Sequence, residues 1–201
     1  VSTRNATTPP PRILVSRITD QHKKVSRNAD SVRERLKNGA KLVIVDTGDQ
    51  TIELLDKDLV GAGQDWTLRI SGTSTVRIHL STPLPKGAQI VATGGSFVEV
   101  TGQGTLYAYT RSRVHAFGEW TVHARNFADI SVCDSCTAVS MDDTTVTAYD
   151  TAHVDASGRS RVTGTDQSSM HLSEDAHGSV TRGVKVTGPS RSNLYATRPT
   201  G

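Results

Sequence analysis

The sequence predicts an all-β fold: a parallel β-solenoid (β-helix) built from 8-residue repeats, with about 16 residues per coil and a short N-terminal α-helical cap. Three observations lead there. First, aliphatic residues recur every eight positions from Ile90 to Val186, and 11 of those 13 positions hold Val, Ile, Leu or Met. Second, the positions two before carry mostly small residues and those two after mostly small or β-branched ones, as in Ser96-x-Val98-x-Val100, Ser112-x-Val114-x-Ala116 and Ala152-x-Val154-x-Ala156. That is a three-residue inward face at period 2, a short strand. Third, a turn residue follows each strand at Gly94, Gly102, Thr110, Gly118, Asn126, Asp134, Asp142, Asp150, Gly158, Asp166, Glu174 and Arg182. Nine of these 12 are Gly, Asn or Asp, which tolerate left-handed or Asx-turn backbone. An antiparallel meander of short hairpins is the rival, but it gives no reason for the same slots to recur in the same order.

The elements follow in chain order. Residues 1–11 are polar and Pro-rich and read as a flexible arm. Residues 12–41 read as a cap: a short strand within Arg12–Ile18, then a helix started by Asn28 or Asp30, running to about Lys37, with Gly39 after it. Val32 and Leu36 lie on one helix face. The solenoid spans 42–188. Its first part keeps a weaker octad register at Ile52/Leu54, Val60/Ala62, Leu68/Ile70 and Val76/Ile78. A loop at 82–88 holds Pro83 and Pro85, which cannot serve interior strand positions. Residues 189–201 lose the octad and read as a C-terminal tail.

Composition fits a thin core. Aromatics are 4% of the chain, so facing sheets must meet across Ala, Ser and Val. Trp120 alone puts a large side chain in a small slot, and a local widening of the coil is expected there. No apolar run approaches the ~18 residues of a membrane span. Val1–Arg12 has no apolar stretch of the signal-peptide kind. Two cysteines exclude a disulfide scaffold, and Cys133-x-x-Cys136 reads as one surface and one core residue. Residues 1–40 carry nine Lys/Arg and three acids, and read as a solvated basic face; nucleic acid is not the expected partner, nor is a membrane.

Segments such as Ala156-x-x-x-Ser160-x-Val162 and Gly164-x-x-x-Ser168-x-Met170 resemble the octapeptides of bacterial ice-nucleation proteins. Thr145-Val-Thr-Ala-Tyr-Asp150 resembles octad-repeat hypothetical proteins of actinobacteria and their phages. The resemblance covers about residues 94–188 and implies an octad solenoid; the expected setting is a virion or cell surface. Thr145/Thr147 and Thr163/Thr165 are the Thr-x-Thr pairs that an ice-binding or ice-nucleating role would use.

The expected function is a non-enzymatic structural or adhesion module. No P-loop, dinucleotide fingerprint or Ser-His-Asp spacing is apparent, and no catalytic residue or cofactor is expected. A carbohydrate-active β-helix would rest on Asp142 and Asp143. The outward aromatics Phe97, Tyr107, Tyr109, Phe117 and Tyr149 form the expected contact surface, because large outward aromatics anchor interfaces. The expected partner is another protein or a second copy, with a glycan as a further candidate. Asp134, Asp150 and Asp166 stack along one edge and read as turns, with a cation-holding ladder as the alternative. Arg113 and Asp129 are expected to pair on one face, and Arg182 to complete the Asp166 column.

Overall fold

The computed structural model describes residues 25–188 and the backbone of 194–196. The arm at 1–11 and the strand expected within 12–18 lie outside the described residues. What is described is a parallel β-solenoid of two facing ladders.

The first face is a ladder of ten rungs. They are β1 (Val25–Ser26), β2 (Leu42–Val45), β4 (Thr67–Ile70), β6 (Gln89–Ala92), the second half of β7 (Phe97–Ala108), the second half of β8 (Arg113–Ala124), β10 (Thr137–Ser140), β12 (His153–Ala156), β14 (Ser169–Leu172) and β16 (Lys185–Thr187). The opposite face holds β3 (Thr51–Leu55), β5 (Thr75–His79), the first halves of β7 and β8, β9 (Asp129–Val132), β11 (Thr145–Ala148), β13 (Arg161–Gly164), β15 (His177–Val180) and β17 (Leu194–Ala196). At a rung spacing of about 4.8 Å, ten rungs give a rod of about 43 Å. From Ile90↔Leu106 onward, every pairing joins residues 16 apart. Because Gly178 pairs with Leu194, the repeat continues into the segment read as a tail.

Inward slots alternate as the octad requires. Val98, Val114, Ile130, Val146 and Val162 line one face, and Leu106, Val122, Ala138, Val154 and Met170 the other; all are buried. In the small slots, Thr144 Oγ1 and Ser160 Oγ bond to each other at 3.0 Å across one rung. Trp120 is 1% exposed. The space it needs comes from the rung beside it: Gly104 is its register partner, and a Cβ there would meet the indole at 2.7 Å. The corners at Gly102 (φ 100°) and Gly118 (φ 98°) also open, so that β7 and β8 run through them as 12-residue strands. A Cβ on Gly118 would lie 2.4 Å from the Gly102 carbonyl oxygen, so this bend admits only glycine.

The first three coils are larger, the first of them pairing Ile44 with Val25, 19 residues earlier. Thr67 pairs with Leu42, 25 residues earlier, and Phe97 with Thr75, 22 residues earlier. The expected strand at Val60/Ala62 does not exist. Those residues end α2 (Asp56–Leu59) and begin the turn after it, inside an insertion between β3 and β4. The loop between β5 and β6 forms the next insertion on the same edge. Asp56 joins the two insertions by accepting hydrogen bonds from Ser81 and Thr82, both backbone N–H groups and both hydroxyls. These bonds hold its carboxyl below the usual range.

Helix α1 (Ala29–Lys37) closes the N-terminal end. Asn28 Oδ1 accepts the Ser31 N–H at 2.9 Å, and Gly39 takes φ 78° after the last turn. Val32 and Leu36 face the core. Arg33 grips buried Asp58 of α2 at 2.6 and 2.7 Å, and the other Asp58 oxygen accepts the Leu55 N–H at 2.9 Å.

Candidate functional site

Eleven of the 12 expected corner positions have positive φ. The exception is Arg182, where Gly183 (φ 107°) takes the bend instead, so Arg182 does not complete the Asp column. A left-handed corner turns its N–H outward along the stack. Asp134 Oδ2 accepts the Gly118 N–H at 2.8 Å, Asp150 accepts from Asp134 at 3.4 Å, and Asp166 accepts from Asp150 at 3.5 Å. On the other edge, Asp142 accepts the Asn126 N–H and Glu174 the Gly158 N–H. Each corner acid therefore caps the turn one coil back. Among the described residues no group of three or more His, Cys, Asp or Glu comes together to hold a metal.

The five expected contact aromatics do not form one surface. Tyr107 and Tyr109 belong to the first face and its trailing edge, whereas Phe97, Phe117 and Tyr149 belong to the opposite face. The physical reason is the two-sided coil: residues eight apart fall on opposite faces. Tyr107 stacks on His123 at 5.0 Å, and the Tyr109 phenol is pushed up by burial. Burial and then the Arg125 charge hold His123 below the usual imidazole range. On the opposite face, His115 meets Phe97 edge-on at 4.9 Å. Arg113 lies over the Phe97 ring at 5.7 Å, and the expected ion pair with Asp129 does not form although the two are register partners. Phe117 and Tyr149 occupy the same outward column two coils apart, 36% and 39% exposed, with Cys133 between them. Burial raises the Cys133 thiol to about 11, with Asp150 and Asp134 adding to the shift. Cys136 is buried in its small slot, and both cysteines are free.

Two constellations escaped the sequence. His153 Nδ1 lies 2.9 Å from Ser169 Oγ, and its Nε2 lies 3.2 Å from Asp155 Oδ1. The elements of a Ser-His-Asp triad are present, and a 16-residue register applied to His153-x-Asp155 would have found them. They stand on an open sheet face, where the Ser169 N–H is committed to Ala152 O. The same imidazole-to-hydroxyl contact recurs without an acid at His171–Thr187 (3.0 Å) and, over a longer coil, at His79–Thr101 (2.8 Å). The contact recurs from rung to rung as a way of stacking the coils.

The second is a cleft of about 580 Å³ lined by Phe127, Asp143, Thr145, Arg159, Arg161, Asp175 and His177. Phe127 is 63% exposed. Arg159 reaches Asp143 at 2.7 Å, and its pKa is raised by that bond. Phe127 belongs to a corner and not to a strand slot, so the octad pattern carries no signal for it.

Compared with known protein families, with curated proteins and with solved structures, the chain matches none. Among the described residues no helix is long and apolar enough to cross a membrane.

Proposed function

We propose that the protein is a non-enzymatic structural module, a rigid β-solenoid whose side mediates assembly on a virion or at a cell surface. The observation that carries this reading is the column of Phe117 and Tyr149, large rings turned outward next to the buried Ala116, Val132 and Ala148. Interfaces draw most of their energy from a few such anchors. Rung-to-rung hydrogen bonds along the rod hold the column straight, which suits lateral docking of a second copy. The corner acids are occupied by backbone N–H groups and Asp143 by Arg159, which disfavours a carboxylate pair for glycan cleavage. Ice binding calls for repeated Thr-x-Thr on one face. Here Thr145/Thr147 sits between Asp129/Ser131 and Arg161/Thr163, and Thr163/Thr165 is shifted by one outward position.

Sedimentation velocity of the full chain tests the proposal. The wild type should associate as concentration rises, and a Phe117→Ala/Tyr149→Ala variant should stay monomeric at the same concentrations. Equal behaviour of the two chains, or a wild type that remains monomeric throughout, overturns it. A droplet-freezing assay should give no activity above buffer.

A further inference from the structure

The cleft beside Phe127 lies on a different edge from the Phe117/Tyr149 column and is independent of assembly. Phe127, Asp143, Arg159 and Asp175 are 16 residues apart and form the wall at the corner. Thr145, Arg161 and His177 form the adjoining wall and are consecutive register partners on β11, β13 and β15. The volume, about 580 Å³, lies in the range of small-molecule sites, and the cleft is an open groove with Phe127 63% exposed.

The chemistry of the lining narrows the ligand. Charge along the corner wall alternates: Asp143 negative, Arg159 positive, Asp175 negative. Such a row has no net field to draw in a polyanion or a polycation. It does offer acceptors and donors side by side, which suits vicinal hydroxyls that both donate and accept. Asp143 and Arg159 pair at 2.7 Å at the cleft surface, which brings an acceptor and a donor side by side. Among the described residues Arg161 makes no ion pair, and it presents a planar set of donors to the cleft. Phe127 supplies an open ring face of the kind on which the C–H face of a pyranose stacks. The cleft runs along the rod, where each rung advances about 4.8 Å. That is close to the advance of one pyranose unit in an extended β-linked chain, so successive sugars would meet Phe127 and then the ionic rungs in turn.

We propose that this cleft binds a neutral, extended oligosaccharide, with Phe127 as stacking platform and Asp143, Arg159 and Arg161 as hydroxyl partners. No bond is made or broken. The test is NMR titration of the isotope-labelled full chain with cellotetraose, chitotetraose and mannotetraose at millimolar concentration, with tetragalacturonate as the polyanionic comparison. At least one neutral tetrasaccharide should shift the Thr145, Arg161 and His177 amides. Phe127→Ala and Arg161→Gln should each weaken that binding at least tenfold while leaving the unfolding midpoint unchanged. The Phe117→Ala/Tyr149→Ala variant should bind as the wild type does, so loss of assembly and loss of sugar binding are read separately. The proposal is overturned if no neutral tetrasaccharide shifts these amides, if tetragalacturonate binds more tightly than all three, or if binding survives Phe127→Ala.

Discussion

Trp120 and Gly104 offer the sharpest check on how the core is packed. A Cβ added at Gly104 would sit 2.7, 2.8 and 3.2 Å from Cζ3, Cη2 and Cε3 of the indole. The indole is a rigid ring enclosed by the coil, so it cannot swing away. Gly104→Ala should therefore overpack the core and cost about 1–3 kcal/mol in the wild-type chain. Gly104 is outside the left-handed region, so the backbone itself accepts alanine. With Trp120→Ala the clash is gone, and the same Gly104→Ala change should stabilise by about 0.4–1 kcal/mol through the unfolded chain. Trp120→Ala alone should cost about 3–5 kcal/mol. The effect of Gly104→Ala thus changes sign between the two backgrounds. The implied coupling is about 1.4–4 kcal/mol, against the ~0.5 kcal/mol within which independent sites add. Urea unfolding of the four chains, followed by far-UV circular dichroism, gives the cycle. Additivity, or a destabilising Gly104→Ala in both backgrounds, refutes the packing argument.

Three further outcomes are expected. Arg33→Ala should lower the melting temperature more than Asp58→Ala, because it strands a buried carboxylate while the converse change leaves a guanidinium that water can reach; calorimetry on both variants gives the order. Asp134→Asn should be near neutral, since asparagine keeps an acceptor and tolerates the left-handed corner, whereas Asp134→Ala should cost about 1–2 kcal/mol; added calcium should leave the wild-type melting temperature unchanged, and a calcium-dependent rise would support a cation ladder instead. Ser169→Ala should leave hydrolysis of an activated ester at the wild-type level, because the Ser169–His153–Asp155 contact stacks rungs; a loss of activity above background would make it a catalytic site.

The solenoid was legible because two signals coincide in each octad. Period-2 alternation marks a strand such as Val146-x-Ala148, and a left-handed residue at a fixed phase, such as Asp150, ends it. The N-terminal cap was legible from Asn28 and Gly39 for similar local reasons. The insertion at 56–66 was not, because Val60 and Ala62 happen to continue the apolar rhythm across a helix end. Arg182 misled for the opposite reason: phase alone chose it, while the left-handed backbone needs the neighbouring Gly183. Period-2 alternation puts the five aromatics in outward slots, and the two-sided coil divides them between opposite faces. The cleft depends on corner residues brought into line over four coils, and neither Phe127 nor Asp175 carries a signal in its own neighbourhood.

Every column and face rests on the 16-residue register, and one distance tests it. Arg113 and His177 belong to one outward column through Asp129, Thr145 and Arg161, four coils apart. Spin labels at these two positions, measured by double electron–electron resonance, should lie about 19 Å apart at one rung per coil. In an antiparallel meander the same residues would be eight strands apart, about 38 Å. A distribution centred near the shorter distance supports the solenoid, and one near the longer distance contradicts it.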